Sequence, residues 1–278
     1  MTGDFDIVRH ARARRMRLSV DPASGRVRLT LPPRASLNQA MAWANDHRGW
    51  IDAQRAKLPE GRPFVPGATI PIEGEDVVID WSPEQSRTIL LIGSPSPFRG
   101  YAEFGRDPVP RTGSWPAGGR PKPELSLSQW EREGAREPKA SGKGEGDGRL
   151  VCGGPIDGLS RRIETWLKRR ALAVLTEETA EFAAKAGVTV SRVTVADPKG
   201  RWGSCASTGA IRYSWRLICA PPHVRRSTVA HEVAHRLHMD HSPAFHAAYR
   251  KLLGADPAPA RAWLRRHGAA LHWVGRGA

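Results

Sequence analysis

Two histidines separated by three residues, His231 and His235, have Glu232 directly after the first and give the pattern HEVAH. On an α-helix this spacing places both imidazoles on one face, one turn apart, where they can bind the same cation. Glu232 can then act as a base toward a water that the cation activates. The pattern therefore predicts the metal centre of a hydrolase.

A catalytic zinc site needs a third protein ligand and one open position. His238 would face the same side of a continued helix, but the helical rise puts it roughly 10 Å from His231, too far to share the ion. His241 is the predicted third ligand, on condition that the helix ends and the chain turns back. Residues 239–240 and 242–243, Met-Asp and Ser-Pro, have turn-forming composition. We expect one zinc ion per chain at the three histidines.

The residues before the motif are typical of a buried helix. Pro221 and Pro222 are tolerated in a first helical turn. Val229, Val233 and Leu237 recur at i, i+4 and i+8, so we expect them to be buried on the face opposite the histidines. The alternative is a surface helix that happens to be rich in histidine, and the apolar stripe argues against it.

The N-terminal part is predicted to be β-rich with one helix. Residues 17–31 alternate on either side of a turn, as a β-hairpin does. Residues 36–58 have helical periodicity, with Ser36 as the N-cap and with Trp43 and Trp50 as core anchors. Further strands are predicted at residues 67–81 and 88–92.

Composition divides the chain into three parts. Residues 94–148 are rich in Pro, Gly and Ser and lack aliphatic periodicity, which predicts a disordered low-complexity insertion. Residues 1–93 form the β-rich N-terminal region, and residues 149–278 form the catalytic core. In that core, residues 150–152 are expected to resume the strand that the insertion interrupts. The other predicted elements are a long helix at 159–186, strands at 188–195 and 210–219, and helices at 243–253 and 258–267.

The bulk composition bounds the class of protein. A hydrophobic content of 40% with 10 Trp in 278 residues supports a packed core. The net charge of +15 favours anionic partners such as nucleotides or nucleic acid bound through a basic surface, or merely keeps the protein in solution. Three Cys without paired metal spacing argue against a disulfide scaffold or a zinc ribbon. No leader or membrane-spanning stretch is evident, so we expect a cytoplasmic protein without a membrane partner.

Five blocks of sequence resemble the YgjP-like metallopeptidase family, also called domain of unknown function 45, whose zincin core is similar to SprT-like proteases. They are RWGSC at 201–205, WRL at 215–217, APP at 220–222, HEVAH at 231–235 and HSPAF at 241–245. The resemblance covers roughly the whole chain outside the insertion. Ser214 stands where relatives commonly have Asn, and Ala196 and Gly200 stand where they usually have Arg and Ser.

The resemblance implies an α+β fold, with an N-terminal β-rich region and a zincin-like core around an HExxH active-site helix. It also implies His231, His235 and His241 as metal ligands and Glu232 as the catalytic carboxylate, in agreement with the spacing. The family pattern has no counterpart to the insertion at 94–148, which we therefore expect to be tolerated.

The leading hypothesis is a zinc-dependent metallohydrolase of the peptidase type, with Glu232 as general base. Strand 210–219 would pair with an extended peptide substrate. A hydrogen-bond donor that stabilises the oxyanion is needed near the metal, and other side chains must line the substrate cleft. The candidates for the donor are Arg212, Tyr213 and His238, and the candidate for the lining is Trp202.

Two alternatives remain open at this stage. In a nucleoside triphosphate pyrophosphatase, Arg201, Arg212 and Arg216 would clamp the phosphates, since no phosphate-binding glycine loop is present. In a nucleic-acid-associated protein the metal would be structural, although such a site usually has four protein ligands.

Overall fold

The computed structural model describes residues 5–93 and 148–277. In this part of the chain, six α-helices and three small β-sheets form a mixed α+β architecture. Two hydrophobic clusters organise it, a small one in the first N-terminal elements and a large one in the rest. The predicted domain boundaries stay a prediction, and the predicted insertion at 94–148 lies outside the described residues apart from Gly148.

The first sheet contains three short strands in the order β1-β3-β2. The strands are β1 (Phe5–Arg9), β2 (Arg17–Val20) and β3 (Val27–Leu31). β2 and β3 are antiparallel, which confirms the predicted hairpin, and β1 adds in parallel on the other side of β3. The inward side chains of β3, at alternate positions, are fully or almost fully buried against Ala40 and Ala44 of the following helix.

The predicted helix at 36–58 is two helices, α1 (Leu37–Asp46) and α2 (Arg48–Arg55). Ser36 caps α1 as predicted, since its side chain accepts a hydrogen bond from the Gln39 amide. The break falls at His47, whose φ of −99° and ψ of 18° leave the helical region. Trp50 is 43% exposed, so its predicted role as a core anchor is wrong, whereas Trp43 packs against the small cluster.

The second sheet has the order β4-β5-β7-β6. Its strands are β4 (Thr69–Ile72), β5 (Glu75–Trp81), β6 (Leu90–Ile92) and β7 (Gly148–Cys152). β7 lies antiparallel to β6, with Leu150 opposite Leu91. The prediction that residues 150–152 resume the interrupted strand is therefore wrong. Ile92 pairs with Arg149, so the end of β6 and the beginning of β7 lie side by side in the sheet. Chain added at such a point leaves the sheet's pairing intact.

The third sheet has the order β8-β10-β9 and lies beside the HEVAH helix. Its strands are β8 (Arg192–Ala196), β9 (Gly203–Cys205) and β10 (Ala210–Ser214). The predicted strand 210–219 ends at Ser214, whose hydroxyl accepts a hydrogen bond from the Arg216 amide and begins a 3-10 helix over Trp215–Cys219. That helix is buried throughout and leads directly into the HEVAH helix.

Four helices complete the large cluster: α3 (Leu159–Ala186), α4 (Pro222–Ala234), α5 (Pro243–Leu253) and α6 (Ala258–Leu271). The 28-residue α3 is the predicted long helix, and it ends at Gly187 with a φ of 65°. Its N-cap is Gly158, one residue before the helix. Within the described residues, none of the helices is both long and apolar enough to span a bilayer.

Candidate metal centre

The chain reverses direction directly after the HEVAH motif. His231 lies in the last turn of α4, and His235 is the C-cap of that helix. Seven residues after His235, the Ser242 side chain caps the first turn of α5 by accepting a hydrogen bond from the Phe245 amide. This early helix end and prompt restart return His241 to the first two histidines. Leu237 lies beyond the helix end and is 43% exposed, so its predicted burial is wrong.

The three histidines converge on one point. Their candidate ligand nitrogens all lie within 4.8 Å of one another, and His231 Nε2 is 3.3 Å from His241 Nε2. Two nitrogens bound to a tetrahedral zinc at 2.0–2.1 Å would be about 3.4 Å apart. The three residues therefore fit a zinc ion in both donor type and spacing.

Neighbouring groups hold the imidazoles in place. His235 Nδ1 is 3.1 Å from the His238 carbonyl oxygen, and donation to that oxygen leaves Nε2 free for a metal. Phe245 stacks on His235 at a centroid distance of 4.5 Å and meets His231 and His241 edge-on. Tyr249 meets the His231 ring edge-on as well, and its hydroxyl bonds Ser227 of α4. Helix α5 thus supplies an apolar support that fixes the orientation of the ligand rings.

The protonation states suit metal binding. Burial, together with the smaller effect of the charges of the neighbouring histidines, lowers the pKa of His231 to about 4. Burial also lowers the pKa of His235. Because only a neutral imidazole can coordinate a metal, both rings are ready to bind at neutral pH.

Glu232 lies beside the histidines and is 5% exposed. Burial raises the pKa of its carboxyl group to about 7, while the nearby charge of Arg201 lowers it. A carboxyl group with this pKa can accept a proton and release it again near neutral pH. Its surroundings therefore suit the predicted role of general base.

Gly203 of β9 makes room for the Glu232 side chain. A Cβ added at Gly203 would lie 2.4 Å from Glu232 Oε1 and 2.7 Å from its Cδ. Such distances are too short for any side chain, so only glycine allows the carboxylate to lie against this strand. The sequence alone does not indicate this role, although Gly203 is the central residue of the RWGSC block.

We expect Gly203→Ala to displace the Glu232 carboxylate. The kcat for hydrolysis should then fall about tenfold to 100-fold, because a misplacement of a catalytic group by ~1 Å can have that effect. Metal content should not change, since no ligand is touched. Gly200→Ala is the matched control, because a Cβ there meets nothing within 4 Å. Equal rates for the Gly203→Ala protein and the unaltered protein would contradict the role assigned to this glycine.

Two of the predicted substrate-binding residues are in the protein core. Tyr213 is fully buried and its hydroxyl bonds Thr179 of α3, so it cannot donate to an oxyanion. Arg216 is 4% exposed and binds Asp197 through two nitrogens. It also donates to the carbonyl oxygens of Leu271 and Val274, so its function is to anchor the C-terminal segment. Both predictions are wrong, because tertiary partners far away in sequence bury these side chains.

The remaining predicted binding residues are placed differently. Arg212 is exposed on the face of the sheet opposite to buried Ile211 and Tyr213, away from the histidines. Trp202 stacks on His272 at 5.1 Å and packs against α6, as a structural residue does. The phosphate clamp of three arginines therefore does not form.

Two binding predictions keep a place near the metal centre. Arg201 is exposed, and its charge acts on Glu232. His238 is half-buried, and it acts on the centre through the carbonyl oxygen that faces the His235 ring. Whether either side chain contacts a substrate stays a prediction.

The predicted pairing of strand 210–219 with a peptide is excluded by the sheet order, because β10 lies between β8 and β9. In the described part of the chain the edge strand next to the centre is β9, which carries Gly203. The hydrogen bonds Ser214 N–Trp202 O (2.8 Å) and Ala206 N–Ala210 O (2.9 Å) mark the positions that face β10. By the alternation of an antiparallel ladder, Gly203 and Cys205 direct their N–H and C=O groups to the open edge.

Comparison with family models identifies the class of protein that this fold and site define. The YgjP-like, metallopeptidase domain model matches residues 14–99 and 142–267. The chain belongs to the YgjP-like metallopeptidase family. No significant match was found among curated proteins or among solved structures. Family membership supports a hydrolase of the metallopeptidase type and implies a bound metal, typically zinc.

Proposed function

We propose that this protein is a zinc-dependent peptidase, with one zinc ion held by His231, His235 and His241. The observation that carries the proposal is the convergence of three imidazoles beside a buried carboxylate, Glu232. Three histidines leave a fourth position of a tetrahedral zinc open, as catalytic sites require and structural sites do not. Zinc bound there supplies a Lewis acid that activates water near neutral pH and polarises a carbonyl group.

Glu232 performs the proton transfers. Its carboxylate takes a proton from the attacking water and returns it to the nitrogen of the departing amine. Gly203 allows the carboxylate to lie where both transfers are within reach. The charge of Arg201 favours the ionised form that starts the cycle.

The substrate is held as an extended strand on the open edge of β9. Its backbone would pair with the N–H and C=O groups of Gly203 and Cys205, which brings a peptide bond next to Glu232. Recognition through the backbone selects an extended or unfolded segment, because a folded helix has no free backbone groups to offer.

The test is incubation of the zinc-loaded full chain with fluorescently labelled casein and, separately, with nucleoside triphosphates. The proposal predicts new peptide N-termini and no release of pyrophosphate. Pyrophosphate release without peptide cleavage would overturn the peptidase assignment and favour a nucleotide hydrolase. The structure speaks against that alternative, because Arg216 is buried in an ion pair and Arg212 lies on the far face of its sheet.

A further inference from the structure

Five exposed arginines lie together at one end of the N-terminal sheet. We call this group the arginine end: Arg12, Arg14, Arg15, Arg17 and Arg34. The register pairs Arg17 with Thr30 and Arg9 with Leu31, so the loop between β1 and β2 lies at the end of the sheet where β3 finishes. Arg34 follows β3 by three residues. Folding therefore gathers at one place charges that are spread along the sequence.

The arginine end has no carboxylates to neutralise it. Residues 7–20 contain no Asp or Glu. Within residues 5–93 and 148–277, none of the five arginines takes part in an ion pair. The acidic residues of this sheet, Asp6 and Asp21, lie toward the other end, and Asp6 already binds Arg28. The five charges are therefore available to an external anion.

Two structural features add to this arrangement. Helix α1 begins at Leu37 beside Arg34, and its first turn contains no acidic residue, so its positive dipole end adds to the local potential. Arg9 donates to the carbonyl oxygens of Pro32 and Pro33, which ties the end of β1 to the segment that carries Arg34. The positive groups are thus displayed on a fixed framework.

The opposite end of the N-terminal sheet contacts the C-terminal segment of the same chain. In the loop after β2, the Pro22 carbonyl oxygen accepts a hydrogen bond from the Trp273 side chain. The Ala23 carbonyl oxygen accepts one from the Arg276 side chain. These contacts fasten that end of the sheet to the C-terminal segment. The arginine end is therefore the end of this sheet that faces away from its attachment.

We propose that the arginine end binds the phosphate backbone of nucleic acid, which is an interaction beyond the proposed peptidase activity. Arginine suits this ligand, because its guanidinium binds phosphate oxygens through two parallel hydrogen bonds. A peripheral membrane site would also need apolar side chains that enter the acyl region. The apolar residues of this loop are Ala11, Ala13 and Met16, and Met16 packs against the small hydrophobic cluster instead of facing outward. Binding through the backbone is independent of base sequence and strongly dependent on salt.

The test compares two triple variants of the zinc-loaded full chain by fluorescence anisotropy with a labelled duplex of about 20 base pairs. R12Q/R14Q/R15Q should weaken binding about tenfold or more and lower the slope of log K against log salt by about 3. R161Q/R169Q/R265Q is the matched control, since it removes three exposed arginines elsewhere and should change binding less than about twofold. Casein hydrolysis and zinc content should be unaltered in both, which separates this proposal from the peptidase proposal.

Three results would overturn the inference. Equal losses in the two variants would show that overall charge, and not the arginine end, governs binding. If the unaltered chain did not bind the duplex, nucleic acid would be excluded as the ligand of the arginine end. Binding to vesicles of phosphatidylserine and phosphatidylcholine, with none to the duplex, would assign the arginines to a membrane surface instead.

Discussion

Replacing Glu232 by Gln is expected to lower peptide hydrolysis by about 10² to 10⁴-fold, which is the usual contribution of a general base. Gln fills the same space against Gly203 but cannot accept the proton of the attacking water. Since Glu232 is not one of the three converging ligands, the metal should remain bound. The rate is measured on labelled casein with the zinc-loaded protein, and the metal is measured by elemental analysis of the same sample.

Glu181→Gln is a suitable control, because this carboxylate is exposed and pairs with Lys185 and Arg226 on the protein surface. It should hydrolyse casein at the rate of the unaltered chain. Full activity of the Glu232→Gln protein would refute a general base at this position. Loss of activity together with loss of metal would show that Glu232 acts in holding the ion, which the mechanism does not allow.

Replacing Arg225 by Ala is expected to lower the free energy of unfolding by about 3–5 kcal/mol, the typical effect of removing one partner from a buried ion pair. Arg225 lies in α4 and is fully buried. Its Nε and Nη2 atoms are 3.0 and 2.9 Å from Glu178 Oε1, and its Nη1 is 3.8 Å from Glu73 Oε2. Without it, Glu178 would be left as a buried carboxylate that has lost its ion-pair partner.

This buried network connects the metal-site helix with the second sheet. Glu73 belongs to the turn between β4 and β5, where it adopts a φ of 54° and binds Arg170 of α3. The adjacent Gly74 approaches Pro221 so closely that an added Cβ would lie 2.9 Å from its Cα. The turn thus docks against the beginning of α4, held by the Arg225 network and by the hydrogen bond from the Glu73 amide to the Ile218 carbonyl oxygen.

The neighbouring residue provides the control for the stability measurement. Arg226 pairs with Glu181, but the two side chains are 31% and 40% exposed. Arg226→Ala should therefore cost less than about 1 kcal/mol, as exposed pairs do. Both variants are compared by chemical denaturation of the full chain. A similar small loss in both would contradict the importance given to the buried network.

Local pattern was sufficient for the elements that depend on neighbours in sequence. The spacing of the two HEVAH histidines and the turn composition before Ser242 indicated the three residues that the structure brings together. The long helix α3 was predicted at 159–186, which are the bounds that the structure gives it. These features depend on backbone preferences and on periodicity within a few turns.

Long-range contacts explain the predictions that were wrong. Arg216 looked like a binding residue, but Asp197 and two carbonyl oxygens of the C-terminal segment bury it. The early end of the strand at 210–219 has a local cause instead, because the Ser214 hydroxyl caps the next turn through the Arg216 amide. The contact between Gly203 and Glu232 joins two elements that no local pattern connects. Burial of a polar residue is decided by such partners, and a single sequence does not reveal them.

The three-histidine metal site is tested by elemental analysis of the metal content of the purified chain, of His241→Ala and of His246→Ala. We expect about one zinc ion per chain in the unaltered protein and a near-complete loss in His241→Ala. His246→Ala should keep its zinc, because that imidazole lies 6.4 Å from His241 and is not one of the three converging ligands. Zinc retained in His241→Ala, or no zinc in the unaltered chain, would contradict the three-histidine site and the mechanism built on it.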